Sequence, residues 1–335
     1  MEKMRKKLTT INFRYYFFVL ILQSFALGWL FLIAKQHTAV WGLGLIAYTL
    51  GLRHAFDADH IAAIDNTVRK LINQQQEAAG TGFYFSLGHS TVVFLLVVAV
   101  NFSLKLFKTD LPFLEKTGNL IGGTVSGIFL LLLAFANVVI LSNLFQIARK
   151  KANHLLNDRK LNQLLAKRGF LVRILMPLLN LVKRSWQMYP IGFLFGLGFD
   201  TATEIALLAI AASSDQTLLG WNNLVFPVMF AAGMNLMDTT DSVMITSAYR
   251  WAFASPDRKI YYNLTVTLVS VVAAFSIGLI ELLQVATSFI KQSRTKLNWL
   301  SNLNFNQLGI WLTLCLLAAW LLAYFKWQQQ NKSTI

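Results

Sequence analysis

The 335 residues are 56% hydrophobic and only 13% charged, with a mean hydropathy of +0.52. A soluble domain carries about 25% charged residues, so this balance excludes an ordinary soluble enzyme and points to a chain that crosses a bilayer repeatedly. The formal net charge of +15 does not signal nucleic acid, because the Lys and Arg residues fall between apolar runs, where they orient a membrane protein.

Met1 to Arg14 is basic, and the apolar run behind it lacks a small-residue cleavage motif, which reads as a retained first span rather than a signal peptide. A membrane helix needs about 20 mostly apolar residues. Runs of that kind lie at 15–34, 38–65, 81–103, 118–145, 189–212, 219–249, 262–288 and 306–325, which predicts an all-α integral membrane protein of eight spans. The second and sixth carry so many polar residues that hydropathy alone understates them. With both ends inside, the inner segments (1–14, 66–80, 146–188, 250–261 and 326–335) hold 22 Lys and Arg. The outer segments hold 7, and Arg53 lies within the second span. That asymmetry predicts cytoplasmic termini and a cytoplasmic-membrane location, although the outer 289–305 loop, with Lys291, Arg294 and Lys296, runs mildly against it.

The layout is one polytopic domain over 1–335: a first half (1–145) with four helices, a basic cytoplasmic linker (146–188), a second half (189–325) with four more, and a polar tail (326–335). The linker holds ten Lys and Arg against one acid, Asp158. Its apolar run Phe170–Val182 is too short to span and is interrupted by Pro177, so it fits a helix in the membrane interface. One cysteine, Cys315, allows neither an intrachain disulfide nor a thiolate metal cage and reads as a packing residue.

Phe56-Asp-Ala-Asp-His-Ile-Ala62 in the second span resembles Phe199-Asp-Thr-Ala-Thr-Glu-Ile-Ala206 in the fifth. Each is followed by a span with polar residues near a glycine: Gly88-His-Ser-Thr-Val92 in the third, Gly233-Met-Asn-Leu-Met-Asp-Thr-Thr-Asp241 in the sixth. The second span runs inward and the fifth outward, so the halves read as inverted repeats, an arrangement that places a substrate site near the midplane.

The chemistry concentrates in Gly51–Asp65, where Arg53, His54, Asp57, Asp59, His60 and Asp65 lie at membrane depth. Each such group costs at least about 2.5–3.5 kcal/mol there. Two imidazoles with carboxylates suit a borderline divalent metal. On an ideal helix His54, Asp57, Ile61 and Asp65 fall near one line, with Arg53 and His60 beside it and Asp59 opposite. Two arrangements are open, and the first, an interrupted second helix, is the one expected. The helix unwinds near Ala58 so that Asp59 and both histidines meet one ion, or Asp59 orients a ligand histidine. The competing reading is a charge-paired helix end with Arg53 and Asp57 bridging at i,i+4.

His89, opening the third span, supplies a third imidazole, and Gly88 beside it admits a neighbouring helix closely. His37 and His154 fall in loops. Asp200, Thr201 and Glu204 in the fifth span, and Asn235, Asp238, Thr239 and Asp241 in the sixth, line an ion path, couple protons or brace the first half. Interhelical hydrogen bonding by Thr, Asn and neutral Asp is the plainer reading of those two groups.

These residues resemble the nickel/cobalt transporter family. His-x4-Asp-His appears as His54-Ala-Phe-Asp-Ala-Asp59-His60, followed by Leu87-Gly-His-Ser-Thr-Val-Val93, Leu197-Gly-Phe-Asp-Thr-Ala-Thr-Glu204 and Gly233-Met-Asn-Leu-Met-Asp-Thr-Thr-Asp241. The resemblance implies an eight-span permease with cytoplasmic ends, in which His54, Asp59 and His60 handle Ni²⁺ or Co²⁺ and His89 lies close by. It implies no cofactor, the metal being cargo. Related exporters often carry a histidine-rich loop, absent here, which favours uptake. There is no G-x4-GK[ST] motif, and an inside-negative potential favours dication entry by about 2 × 2.3 kcal/mol per 100 mV.

Three other classes compete. An intramembrane metalloenzyme would show H-E-x-x-H or repeated histidine boxes, and neither occurs. A metal sensor or accessory subunit would not move metal alone in liposomes, and an efflux permease would deplete cells of it. Reporter fusions test the topology: a cytoplasm-dependent reporter is expected to be active at either terminus and silent in the 104–117 loop.

Overall fold

The structure, a computed structural model, describes residues 2–102, 111–152, 182–197, 221–252, 256–289, 307–318 and 321. Among these residues the regular structure is entirely helical. The α-helices are α1 (Glu2–Ala34), α2 (Ala39–His54), α3 (Ala58–Asn73), α4 (Thr81–Phe102), α5 (Leu111–Ala152), α6 (Met188–Phe195), α7 (Val225–Ala252), α8 (Pro256–Phe289) and α9 (Gln307–Ala318). Among the described residues four stretches are long and apolar enough to cross a bilayer: Arg14–Ala34, Thr81–Ala99, Thr117–Val138 and Leu264–Thr287. They coincide with the first, third, fourth and seventh expected spans. α7 has the length but carries Asn235, Asp238 and Asp241, which lowers its hydropathy as the sequence suggested. Of the fifth expected span the structure describes the helix Met188–Phe195. The motif at 199–206, with Asp200, Thr201 and Glu204, lies outside the described residues, and with it the second copy of the repeat. The interfacial helix expected over 170–182 also lies outside them, save Val182.

The interruption expected in the second span is present. The chain breaks at Ala55–Asp57: Ala55 is still right-handed helical, whereas Asp57 is extended at φ −66°, ψ 141°. No proline or glycine lies at the break. The extended residue redirects the chain, and α3 starts afresh with Asp59 in its first turn, where negative charge favours the helix dipole. The ideal-helix line through His54, Asp57, Ile61 and Asp65 is replaced by two helix ends meeting. α9 seats against this break, for a methyl group on Gly309 would run into the carbonyl oxygen of Phe56.

The segment 66–80, expected as a cytoplasmic connection, begins inside α3. α3 continues to Asn73, and every residue from His60 to Ile72 is buried. It packs against α4, α5, α7 and α8. Apolar neighbours such as Ile64, Val68 and Leu71 join the main core, but Asp65, Asn66, Thr67, Arg69 and Lys70 are buried with them. Without water these groups need protein partners. Arg69 donates to Asp65 Oδ2 at 2.5 Å and to the Ser270 hydroxyl on α8, with its guanidinium 5.5 Å from the Tyr249 ring centroid on α7. Asn66 donates to the Ala62 carbonyl at 2.6 Å and accepts from Asn137 of α5 at 2.5 Å.

Glycines set the two crossings that matter for the site. A side chain on Gly51 of α2 would strike the Phe230 carbonyl of α7, and one on Gly233 of α7 would strike the Tyr48 carbonyl of α2. The two backbones are in contact, so His54 and Asp238 follow from one tight crossing. Gly88 of α4 meets the Tyr189 carbonyl of α6 in the same way, as its position beside His89 implied. α1 closes the outside, with Gln23 donating to the Ala232 carbonyl at 2.7 Å while Phe17, Leu20, Phe25 and Leu32 face outward.

Arg69→Ala leaves Asp65 as a buried, uncompensated charge and is expected to cost about 3–5 kcal/mol. The Asp65→Ala/Arg69→Ala double variant is expected to recover part of that loss. Melting temperatures of the detergent-solubilised protein check both.

Candidate metal centre

Three helix segments converge on one point. His54 ends α2, His60 lies in the first turn of α3, and His89 lies two turns into α4. Their ring centroids form a near-equilateral triangle: His54–His60 4.7 Å, His60–His89 4.7 Å and His54–His89 4.9 Å. One nitrogen from each ring can be chosen so that all three lie within 4.8 Å of one another. His54 Nε2 and His89 Nε2 are 3.2 Å apart. Two nitrogens at about 2.0–2.1 Å from one ion and at right angles to each other stand about 3 Å apart. This pair therefore already has the spacing of two ligands on one metal, with His60 needing a small inward movement. Exposure is 9% for His54, 1% for His60 and 3% for His89.

Carboxylates hold the rings. Asp57 Oδ2 lies 2.9 Å from His54 Nδ1, the N–H···carboxylate arrangement that leaves Nε2 as the ligand atom. Because Asp57 occupies the break between α2 and α3, one extended residue both redirects the chain and fixes the ring. Arg53, the partner of Asp57 in the charge-pair reading, is exposed at the end of α2. Asp238 Oδ2 of α7 approaches His60 Nδ1 at 3.5 Å. Asp59 Oδ1 accepts from the His60 backbone N–H at 2.9 Å, so its carboxylate stabilises the first turn of α3. Aromatic walls close the remaining sides: Phe85 meets His60 edge-on at 4.8 Å and 89°, and Phe230 lies 5.8 Å from His54.

The other sequence candidates divide. Asp65 pairs with Arg69. Asn235 donates to the Phe83 carbonyl at 3.1 Å. Asp238 and Thr239 are buried and Asp241 is half-buried, all three on α7. Asp200, Thr201 and Glu204 lie outside the described residues. Phe85 and Phe230 were missed as wall residues. The signal for Phe85 was its position four residues before His89 on one helix face, whereas Phe230 is brought in only by the α2–α7 crossing. Arg69 was missed because its partner on α8 is 201 residues away.

Three buried imidazoles beside carboxylates lie among bilayer-length apolar helices, an arrangement that fits a multi-pass membrane protein and has the geometry to hold a metal ion. A family model described as "High-affinity nickel-transport protein" matches residues 40–326, and the chain belongs to that family. That family comprises transporters rather than an enzyme class. The chain is 44% identical over 311 residues to the nickel transporter NixA of Staphylococcus aureus, covering 92% of each. It is 44% identical over 319 residues to the high-affinity nickel-transport protein NixA of Helicobacter pylori, 93% of this chain and 96% of that one. It is 41% identical over 237 residues to the cobalt transport protein NhlF of Rhodococcus rhodochrous, 69% and 67% of the two chains. No solved structure matches it.

Asp57→Ala removes the acceptor from His54 Nδ1 and is expected to weaken Ni²⁺ binding by about 10–100-fold. Asp57→Asn, which keeps an acceptor oxygen, is expected to lose less. Equilibrium binding to the purified protein checks both.

Proposed function

We propose that this chain is a secondary transporter that imports Ni²⁺, Co²⁺ or both across the cytoplasmic membrane, with both termini in the cytoplasm. The observation that carries the reading is the convergence of His54, His60 and His89 from three separate helix segments on one buried point. Family membership and relatives named for nickel and cobalt transport support the substrate class. Imidazole nitrogen suits both ions.

In this reading the three imidazoles replace part of the hydration shell of the ion. Asp57 orients His54, Asp59 secures the turn that carries His60, and Asp238 stands beside His60. The ion path and its bracing comprise Asp65, Asn235, Asp238, Thr239 and Asp241, with Arg53 at the end of α2 and Asp200, Thr201 and Glu204 in the fifth span. The layout remains the two four-helix halves around the 146–188 linker, related as inverted repeats, with eight spans in all. Cargo must also leave, so ligation has to be reversible and the site must open to each side in turn.

The test is ⁶³Ni²⁺ uptake by cells expressing the chain, beside a His54→Ala variant of equal abundance, with unlabelled Co²⁺ and Zn²⁺ as competitors. Uptake by the unmutated chain and its loss in the variant are expected, with Co²⁺ competing better than Zn²⁺. Metal loss from the cells would reverse the direction to efflux, and no movement in either chain would sink the substrate assignment.

A further inference from the structure

α3 and α7 run side by side in the same direction. His60 meets Asp238 at one level and Arg69 meets Tyr249 at another, nine residues on along α3 and eleven along α7, about 14 and 17 Å at about 1.5 Å per residue. The seam between these two levels is unusually polar. On α7, Asp238 is 1% exposed, its carboxylate facing the Ser86 hydroxyl and, 3.5 Å away, His60 Nδ1. One turn on, Asp241 Oδ2 is buried without a hydrogen-bond partner. On α3, Thr67 lies seven residues after His60 on the same face, 0% exposed, its hydroxyl without a partner. Among the described residues no Lys or Arg pairs with Asp238 or Asp241. The nearest guanidinium along α3, Arg69, is held by Asp65 and Ser270.

A buried carboxylate oxygen without a donor is costly, and its presence calls for a ligand. We propose that Asp238 and Asp241 form a second divalent-cation site on the α3–α7 seam, one step inward of the three imidazoles, from which the transported ion is released. It rests on the transporter reading above and assigns the path its next station. The donors are oxygens, which hold a borderline dication more weakly than imidazole nitrogens do. A weaker site next to a tighter one allows an ion to leave, as multi-site conduction requires. Asp238 serves both stations, since its Oδ2 stands 3.5 Å from His60 Nδ1. Asp241 is half-buried, so water can complete the coordination there. Arg69, fixed at the inner end of the seam, opposes uncontrolled onward leakage of a dication.

The experiment counts Ni²⁺ ions bound to the purified full-length protein at equilibrium. Two ions, one tight and one weaker, are expected for the unmutated chain. Asp241→Asn is expected to keep the tight ion at unchanged affinity, to weaken the second at least about tenfold, and to lower ⁶³Ni²⁺ uptake with it. His89→Ala is expected to do the reverse, weakening the tight ion and sparing the other. A single ion in the unmutated chain would overturn the second site and leave the imidazole site standing, as would two undisturbed ions in Asp241→Asn. Loss of both ions from a correctly sized Asp241→Asn protein would also overturn it, because the two sites would not be separate. Should that variant not fold, Asp241→Glu decides: a changed affinity for the second ion alone supports the site, and no change overturns it. Absence of any bound Ni²⁺ would instead sink the transporter reading itself.

Discussion

A polar helix buried on every side must find its hydrogen bonds inside the protein, and α3 is that helix. At bilayer depth an unpaired charge or amide has no water to fall back on. Arg69 is tied to Asp65 and Ser270 and lies over Tyr249, while Asn66 bridges to Asn137. These contacts bind α3 to α5, α7 and α8. They also fix the height and rotation of α3, and with them the position of His60 in its first turn. Removing one partner leaves the other stranded, so the polar interior acts more as a specifier of arrangement than as a reserve of stability.

The meeting of the three histidines then follows from three constraints acting together. The glycine-to-carbonyl contacts at Gly51 and Gly233 bring α2 and α7 to backbone contact, which sets His54 beside Phe230 and places Asp238 nearby. The break at Ala55–Asp57 swings α3 away so that His60 faces His54 across a helix end. Gly88 lets α6 press against α4, locking the helix that carries His89. Each histidine is thus positioned by a different tertiary contact, and the three rings meet within 4.9 Å. Such a site can respond to helix movement, because shifting any one crossing pulls one ligand away from the other two. Reversible ligation of a transported cation needs that property.

Much of the plan was legible in the chain itself. The apolar runs at 15–34, 81–103, 118–145 and 262–288 reappear as long apolar helices because hydropathy over about 20 residues is a local property. The density of His and Asp in 54–65 marked the site because burying such groups is too costly to occur without cause. The interruption expected in the second helix is present at Ala55–Asp57, one to three residues before Ala58. The burial of α3 was not legible. Its Asn66 and Arg69 find partners 71 to 201 residues away, which no local pattern encodes.

The sequence by itself determined the helical membrane class and the family, since these depend on composition, local periodicity and spacing. Tertiary structure alone decided which imidazoles meet, that Asp57 reaches His54, and that Asp238 joins them from α7. The reason is physical: a side chain's distance to a residue on another helix depends on crossing depth and rotation, which close backbone packing sets and no local pattern encodes.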